Sequence, residues 1–217
     1  MDYLTLIPAR KNSQRIKNKN LRKYNGISLI DKTIIDALKI RANNSIIVSS
    51  DDERILNRSK LYKGKNIKFL RRPSYLSQDT SSIESLILYI LSNLYKKKVP
   101  KNIIILQPTS PLRSYKHIND CIAKFEKKGL DSIFSVYKEK IFLWNGKHRS
   151  ITYDYKKRQN TQKMESFYVE NGAIFIFKTN KFLRLKKKCR IISKFDFFEM
   201  TKSVSIDIDN PSDLKDR

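Results

Sequence analysis

The sequence is poor in the residues that build metal and redox sites. It contains only two cysteines and two histidines, Cys121, Cys189, His117 and His148. Their spacing matches no zinc motif, so we expect no zinc site. Sparse cysteine use without a disulfide pattern also favours a reducing, cytoplasmic setting.

Long apolar runs and glycine-rich loops are missing as well. No segment reaches the roughly 18 consecutive apolar residues of a membrane span, and the apolar start of the chain is too short for a signal peptide. The five glycines form neither GxxxxGK(S/T) nor GxGxxG, which excludes a Walker loop and a dinucleotide fingerprint. We therefore expect no membrane partner, and any nucleotide site has to be built differently.

Acidic residues are scarce beside basic ones. The 21 Asp and Glu residues against 46 Lys and Arg leave a net charge of +25, which suggests nucleic-acid binding. The lysines are spread over the whole chain, however, and 28 isoleucines against 5 alanines are typical of AT-rich coding. We interpret the charge as a solvated basic surface that attracts small anions, and expect no nucleic-acid partner.

Strand-like and helix-like segments alternate along the chain. Apolar runs predict strands at 3–7, 45–50, 66–72, 103–106 and 131–137, and helical spacing of apolar residues predicts helices at 29–40, 81–95 and 116–129. This order predicts a three-layer α/β/α, Rossmann-like fold with a mostly parallel sheet, as one domain over 1–217. Ligands are expected at the carboxyl ends of the strands.

The alternation breaks between residues 138 and 170. Turn signals and alternating aromatic residues in this segment predict a small β-rich insertion. Strands are predicted again at 172–178 and at 203–209.

Two segments at predicted strand ends have the character of a nucleotide site. The loop IPARKNSQRIKNKN places Arg10, Arg15 and Lys19 after the first strand, where cationic side chains bind phosphate. LQPTSPLR follows the most apolar strand, and its prolines hold Gln107 where an amide reads a base or ribose edge. Each segment alone is also typical of a solvated loop or an ordinary connection.

A third segment, SIDID, carries two carboxylates near the end of the sequence. In a strand, Asp207 and Asp209 lie on the same face, and a divalent cation between them relieves their repulsion. An exposed acidic strand end is the alternative interpretation. Beside the two other segments, the metal interpretation is favoured.

These segments, in this order, resemble the acylneuraminate cytidylyltransferase family, the CMP-sialic acid synthetases. The motifs IPARKNSQRIKNKN, LQPTSPLR, YVENGAIFIF and SIDIDNPSDL carry the resemblance, which spans residues 1–214. It implies a nucleotide-diphospho-sugar transferase-like fold and a homodimer in which the 138–170 insertion reaches the partner subunit. It also implies transfer of CMP from CTP to the anomeric hydroxyl of a sialic-acid-like nonulosonic acid, with release of pyrophosphate.

The resemblance further implies roles for individual residues. Arg10 and Lys19 would bind the triphosphate and, with Asp209, form the catalytic set. The expected sets are Arg10, Arg15, Lys19, Asn20, Arg72, Ser82 and Gln107 for the nucleotide, Gln107, Gln162 and Asn171 for the sugar, and Asp207 and Asp209 for Mg²⁺ or Mn²⁺.

The sequence departs from the family pattern in three places, one of which is Gln14, where relatives commonly carry a basic residue. Residues 11–13 read KNS where relatives carry SGS or GGS, so the backbone is less free to approach phosphates. Asn160 and Thr161 stand where relatives often have arginines, one of which is expected to bind the sugar carboxylate. Arg158 or Lys163 would then have to supply that cation. The alternatives are another 2-keto acid (legionaminic, pseudaminic or deaminated), a catalytically silent paralogue, or a basic nucleic-acid-binding protein.

Overall fold

A single seven-stranded sheet forms the centre of the molecule. The computed structural model describes residues 2–11, 13–62, 65–158, 160–185 and 188–214. Its strands are β1 (Tyr3–Pro8), β4 (Asn44–Ser50), β5 (Ile67–Arg71), β6 (Asn102–Leu106), β7 (Ser132–Glu139), β8 (Phe167–Lys178) and β9 (Phe195–Glu199), with β2 (Lys23–Tyr24) and β3 (Ile27–Ser28) forming a separate short hairpin.

The large sheet is mostly parallel, as predicted. Its strand order is β5-β4-β1-β6-β8-β7-β9. Strand β1 pairs in parallel with β4 and β6, β4 with β5, and β7 with β9, whereas β8 runs antiparallel to β6 and β7. The central strand β6 is fully buried from Ile103 to Leu106, which is expected of a strand covered on both faces.

Helices cover both faces of the sheet and complete the predicted three layers. They are α1 (Leu29–Leu38), α2 (Glu53–Leu56), α3 (Ile83–Leu94), α4 (Tyr115–Lys127) and α5 (Thr179–Arg184). Ile34 of α1 and Cys121 of α4 pack into one apolar cluster, together with the Ile55 side chain of α2. Ile87 of α3 and Phe182 of α5 pack into a second cluster on the opposite face. Among the described helices, none has the length and apolar character that crossing a bilayer requires.

Serine side chains begin the three longest helices. Ser28, Ser82 and Ser114 each accept a hydrogen bond from the backbone N–H three residues later. At α4 the cap is reciprocal, because His117 Nδ1 accepts from the backbone N–H of Ser114 at 3.2 Å. Caps of this kind stabilise a helix by about 1 kcal/mol each, and they explain His117 as a structural residue.

The predicted strand at 203–209 is wrong. The chain forms a 3-10 turn at Lys202–Val204 and then runs extended past β6, where the backbone N–H of Ile208 donates to the carbonyl of Thr109 at 2.8 Å. Ile208 is fully buried against Ile16 and Leu29. The apolar alternation that suggested a strand is therefore satisfied by packing, while the missed strand β9 pairs with β7.

The segment 138–170 has less β-structure of its own than predicted. Its paired residues are the ends of β7 and β8, where Glu139 lies opposite Phe167. Between these ends, the described residues form one isolated bridge, Trp144 to Ser150, and two 3-10 turns. Most of the β-structure that the sequence predicted for this segment therefore belongs to the long strands β7 and β8. Contact of this segment with a second subunit stays a prediction.

Candidate active site

The carboxyl ends of β1, β5 and β6 open onto a cavity of about 450 Å³. This is the edge of the sheet at which ligands were expected. Of the seven residues predicted for the nucleotide, six line this cavity: Arg10, Lys19, Asn20, Arg72, Ser82 and Gln107. The seventh, Arg15, is exposed and donates to Asp209 Oδ2 at 2.8 Å.

The basic loop after β1 is held in place without glycine. Asn20 Nδ2 donates to the carbonyl oxygen of Arg10 at 2.9 Å and closes the loop on itself. Asn18 adopts the left-handed conformation, with φ 58°, and leads into the 3-10 turn Lys19–Leu21. Asparagine tolerates this conformation better than most side chains. Lys19 Nζ is fixed by the carbonyl of Ile208 at 3.0 Å and by Asp209 Oδ1 at 2.8 Å.

Asp79 is a cavity residue that sequence reasoning missed. It lies between β5 and α3, and its Oδ1 accepts from Arg10 Nη1 at 2.5 Å while its Oδ2 accepts from Gln14 Nε2 at 2.7 Å. The hydrogen bond from Gln14 and the charge of Arg10 lower the pKa of Asp79 below its ordinary value. Arg10 therefore has an acidic partner with which an incoming phosphate would compete.

The two carboxylates of SIDID have different surroundings. Asp209 accepts from Lys19 and Arg15, and the hydrogen bond from Lys19 is the main reason that its pKa is lowered. Asp207 is exposed as a residue, but neighbouring atoms crowd its carboxyl group. This desolvation raises its pKa, Asp209 adds to the rise, and a hydrogen bond with Thr109 opposes it.

The donor set of SIDID is small for a metal ion held by protein alone. In the part of the chain that the structure describes, no group of three or more His, Cys, Asp and Glu side chains is placed to bind a metal. Mg²⁺ in nucleotide enzymes is commonly bound by one or two carboxylates together with substrate phosphates. SIDID supplies two carboxylates, the number that such an arrangement uses, although neither Asp207 nor Asp209 is among the residues that line the cavity.

A buried arginine positions the LQPTSPLR turn. Arg113 is fully buried, and its guanidinium donates to the carbonyls of Gln107 at 2.8 Å and Ala173 at 3.0 Å and to Thr33 Oγ1 at 3.1 Å. Burial lowers the pKa of Arg113 to about 10. The side chain thus ties the end of β6 to β8 and α1. Arg113 lies within the LQPTSPLR motif, in which the sequence predicted a role for Gln107 alone.

The Gln107 amide packs against a glycine of β8. A Cβ added at Gly172 would lie 3.6 Å from Gln107 Nε2 and Oε1, and Gly172 has φ +68°. This conformation favours glycine, since other residues are strained there. The requirement for glycine at this position thus comes from the backbone conformation, because a Cβ would make only ordinary van der Waals contact with the Gln107 amide.

Arg72 and Ser82 form another part of the cavity wall. Arg72 is 8% exposed and its Nη2 donates to the carbonyl of Ser49 at 3.1 Å. Burial lowers the pKa of Arg72 to about 10, although the charge of Asp51 opposes this. The hydroxyl of Ser82 caps α3 and lies 2.9 Å from Ser85 Oγ.

The structure does not bring the predicted sugar residues Gln162 and Asn171 into this cavity. Asn171 is 5% exposed, and its amide accepts from Ser135 Oγ at 2.6 Å and donates to Ser205 Oγ at 2.9 Å. It therefore connects the sheet to the segment before Asp207. Gln162 lines a separate cavity, among the described residues, with Phe142, Arg158, Asn160 and Thr161.

Two further charged residues line the main cavity without any motif having pointed to them. Arg190 lies between α5 and β9, and Glu84 lies in the first turn of α3. Both are distant in sequence from the loops that suggested the site, and they pair with each other.

A family model described as cytidylyltransferase matches residues 4–213. The chain is 32% identical to the CMP-N,N'-diacetyllegionaminic acid synthase of Legionella pneumophila, over 98% of this chain and 93% of that protein. It is 28% identical to an N-acylneuraminate cytidylyltransferase of Streptococcus agalactiae, over 99% of this chain and 52% of that protein, so it spans about half of that relative.

Solved structures resemble this fold as well. A CMP:2-keto-3-deoxy-manno-octonic acid synthetase complexed with CTP superposes with a TM-score of 0.67 at 15% identity, over 98% of this chain and 95% of that one. At this identity the likeness bears on the fold alone, which is of the Rossmann-like nucleotidyltransferase type.

Proposed function

The chain belongs to the cytidylyltransferase family, and we propose that it transfers CMP from CTP to the anomeric hydroxyl of a nonulosonic acid. The observation that carries this proposal is the cavity at the carboxyl ends of β1, β5 and β6, lined by Arg10, Lys19, Arg72 and Gln107. Relatives over nearly the whole chain are named for CMP-sugar synthesis on acids of this class.

Arg10 and Lys19 are proposed to bind the triphosphate. Both come from the loop after β1, and each is now held by a carboxylate, Asp79 or Asp209. An incoming triphosphate offers more negative charge than either carboxylate, so it competes for both cations. Fixed cations at the phosphoryl oxygens stabilise charge that builds up on the leaving pyrophosphate.

The reaction needs positioning more than a protein nucleophile. The anomeric oxygen of the sugar forms a bond to the α-phosphorus, the bond from that phosphorus to the bridging oxygen breaks, and pyrophosphate leaves. The hydroxyl proton is released in the same step. Gln107, whose main-chain carbonyl accepts from Arg113, is proposed to orient the reactants through its side-chain amide.

A divalent cation, Mg²⁺ or Mn²⁺, is proposed as the cofactor. Asp207 and Asp209 would hold it together with phosphate oxygens of CTP. The ion would supply charge neutralisation at the phosphates. The contacts of Asp209 with Lys19 and Arg15 keep that carboxylate ionised and near the loop.

We also propose a homodimer in the cytoplasm, with the 138–170 segment at the interface. Trp144, Ile151 and Tyr155 are 47%, 61% and 56% exposed there, which is unusual for side chains of this size. A second subunit would cover them.

Pyrophosphate release tests the proposed function. The purified protein is incubated with CTP and Mg²⁺ and with N-acetylneuraminic, legionaminic, pseudaminic and deaminated acids in turn. Release with at least one acid, and none without acid, supports the proposal. Measurable CTP binding without release for any acid would instead indicate a silent paralogue. Tight, salt-sensitive RNA binding without turnover would support the nucleic-acid alternative.

A further inference from the structure

Arg190 and Glu84 line the main cavity on the side away from the loop after β1. Arg190 Nη1 donates to Glu84 Oε1 at 3.2 Å, and its guanidinium carbon lies 4.6 Å from the centre of the Phe175 ring. The side chains of Arg190 and Glu84 are 29% and 18% exposed. Both residues line the cavity that contains Arg10, Lys19 and Gln107.

The strand order places these groups in sequence across the cavity. Arg10 and Lys19 follow β1, Gln107 follows β6, and Phe175 belongs to β8, and these three strands are neighbours in the sheet. Phe175 pairs in register with Ile105, two residues before Gln107. The guanidinium of Arg190 therefore lies above β8. The basic loop after β1 lies on the other side of β6.

The position of Arg190 is fixed by its own loop. Two residues later, the backbone N–H of Ile192 donates to Ser132 Oγ at 2.8 Å, and Ser132 Oγ donates back to the carbonyl of Ile192 at 3.1 Å. Ile191 and Ile192 pack into the apolar cluster under α3. With the backbone anchored and the guanidinium stacked on Phe175, the arginine is pre-organised for a ligand.

The charges around Arg190 suit a singly charged, hydroxylated ligand. At this end of the cavity one cation, Arg190, faces one carboxylate, Glu84, whereas the loop after β1 brings three cations, Arg10, Arg15 and Lys19, against Asp79 and Asp209. A polyphosphate is therefore attracted more strongly to the loop. An arginine has five N–H donors, and one of them is used in this pair among the described residues. The remaining edge can bind a carboxylate in the two-point geometry that guanidinium favours, while Glu84 accepts from a hydroxyl or amide N–H.

We propose that Arg190 binds the carboxylate of the acceptor sugar acid and that Glu84 orients it. This inference rests on the proposed function, in which two anions share one cavity. The triphosphate takes the cations of the β1 loop, and the sugar acid takes the cation above β8. Arg190 then determines specificity, because it binds 2-keto acids through a carboxylate that neutral sugars lack.

Substitution of Arg190 tests the assignment by separating the two substrates. With saturating CTP, Arg190→Gln should raise the KM for the sugar acid by about 10- to 100-fold, because a charge-assisted contact is lost. The Kd for CTP should stay within about twofold of the original protein. Arg190→Lys keeps the charge but loses the two-point geometry of the guanidinium, and it should give an intermediate KM.

A matched control is available in the same region of the chain. Arg184 lies at the exposed end of α5. Arg184→Gln removes the same charge and should leave the KM unchanged, which excludes general electrostatic attraction. Should Arg190→Gln be insoluble, the KM of the Arg190→Lys protein decides, with CTP affinity as the measure of folding.

Three results would overturn the inference. An unchanged KM in Arg190→Gln means that the side chain does not bind the acid. An equal loss of CTP affinity means that it binds the nucleotide instead. If the unsubstituted protein binds CTP but releases no pyrophosphate with any acid, the proposed function itself fails, a result recognisable because it precedes any substitution.

Discussion

The buried guanidinium of Arg113 offers a quantitative test of how the site is held together. In Arg113→Met, a side chain of similar length replaces the charge and removes a donor from the carbonyls of Gln107 and Ala173 and from the hydroxyl of Thr33. The Gln107 carbonyl keeps a weak bond from the backbone N–H of Ser110 at 3.4 Å. Each buried acceptor left unpaired costs about 1–3 kcal/mol. Burial lowers the pKa of the Arg113 guanidinium to about 10, which shows that its charge is desolvated. Removing that charge offsets part of the cost.

The net expectation is a loss of about 2–4 kcal/mol in the free energy of unfolding, measured by urea denaturation. Turnover should fall as well, since the carbonyl of Gln107 is one of the lost partners. Arg41 is exposed, so Arg41→Met is the matched control and should change stability by less than about 0.5 kcal/mol. An Arg113→Met protein as stable and as active as the original would refute this account of the turn.

Three other substitutions test separate parts of the molecule. Asp209→Asn should lower Mg²⁺-dependent turnover by at least about 100-fold with an unchanged circular dichroism spectrum, and unchanged turnover would remove Asp209 from the metal site. Gly172→Ala should cost about 1–2 kcal/mol in urea unfolding, because the left-handed backbone is strained by a Cβ, and an unchanged stability would contradict that strain. A hydrogen bond from Lys128 is the main cause that lowers the pKa of Asp196 to about 2. The ionised carboxylate therefore stabilises the fold above its unfolded pKa of roughly 4, and this stabilisation is lost as the pH falls through 2. Asp196→Asn should therefore cost about 1–2 kcal/mol at pH 7 and almost nothing near pH 2, and an equal loss at both values would exclude this linkage.

Much of the fold was predictable because apolar periodicity reports burial directly. The strand around Leu6, the buried run Ile103–Leu106 and the helix that carries Ile87 were all predicted, and the structure confirms them. The strand predicted at 203–209 failed for the same reason, since Ile206 and Ile208 alternate like a strand but pack against the loop after β1. Alternation shows which side chains are buried, and it does not show what buries them.

Part of the site was predictable from the sequence, and part was not because its contacts join residues far apart in the chain. Arg10, Lys19 and Gln107 stand directly after apolar strands, so their place at the sheet edge followed from the sequence. No role was predicted for Asp79 or Arg190, because their partners lie 69 and 106 residues away in the chain. Such contacts depend on how the strands are ordered in the sheet, which a single sequence does not state.

Asn171 belongs to a motif that was found in the sequence, and its role in sugar binding stays a prediction. The family resemblance implied sugar binding, whereas the amide bonds to Ser135 and Ser205 inside the fold. A polar residue beside a site can hold the site together without facing the ligand.

The fate of the α-phosphate tests the central claim most directly. CTP labelled at the α-phosphorus is incubated with the protein, Mg²⁺ and each nonulosonic acid, and the products are separated. The account predicts label in a CMP-sugar, formed in equal amount to pyrophosphate and only when an acid is present. Label that stays in CTP, or appears as free CMP independently of the acid, would contradict it.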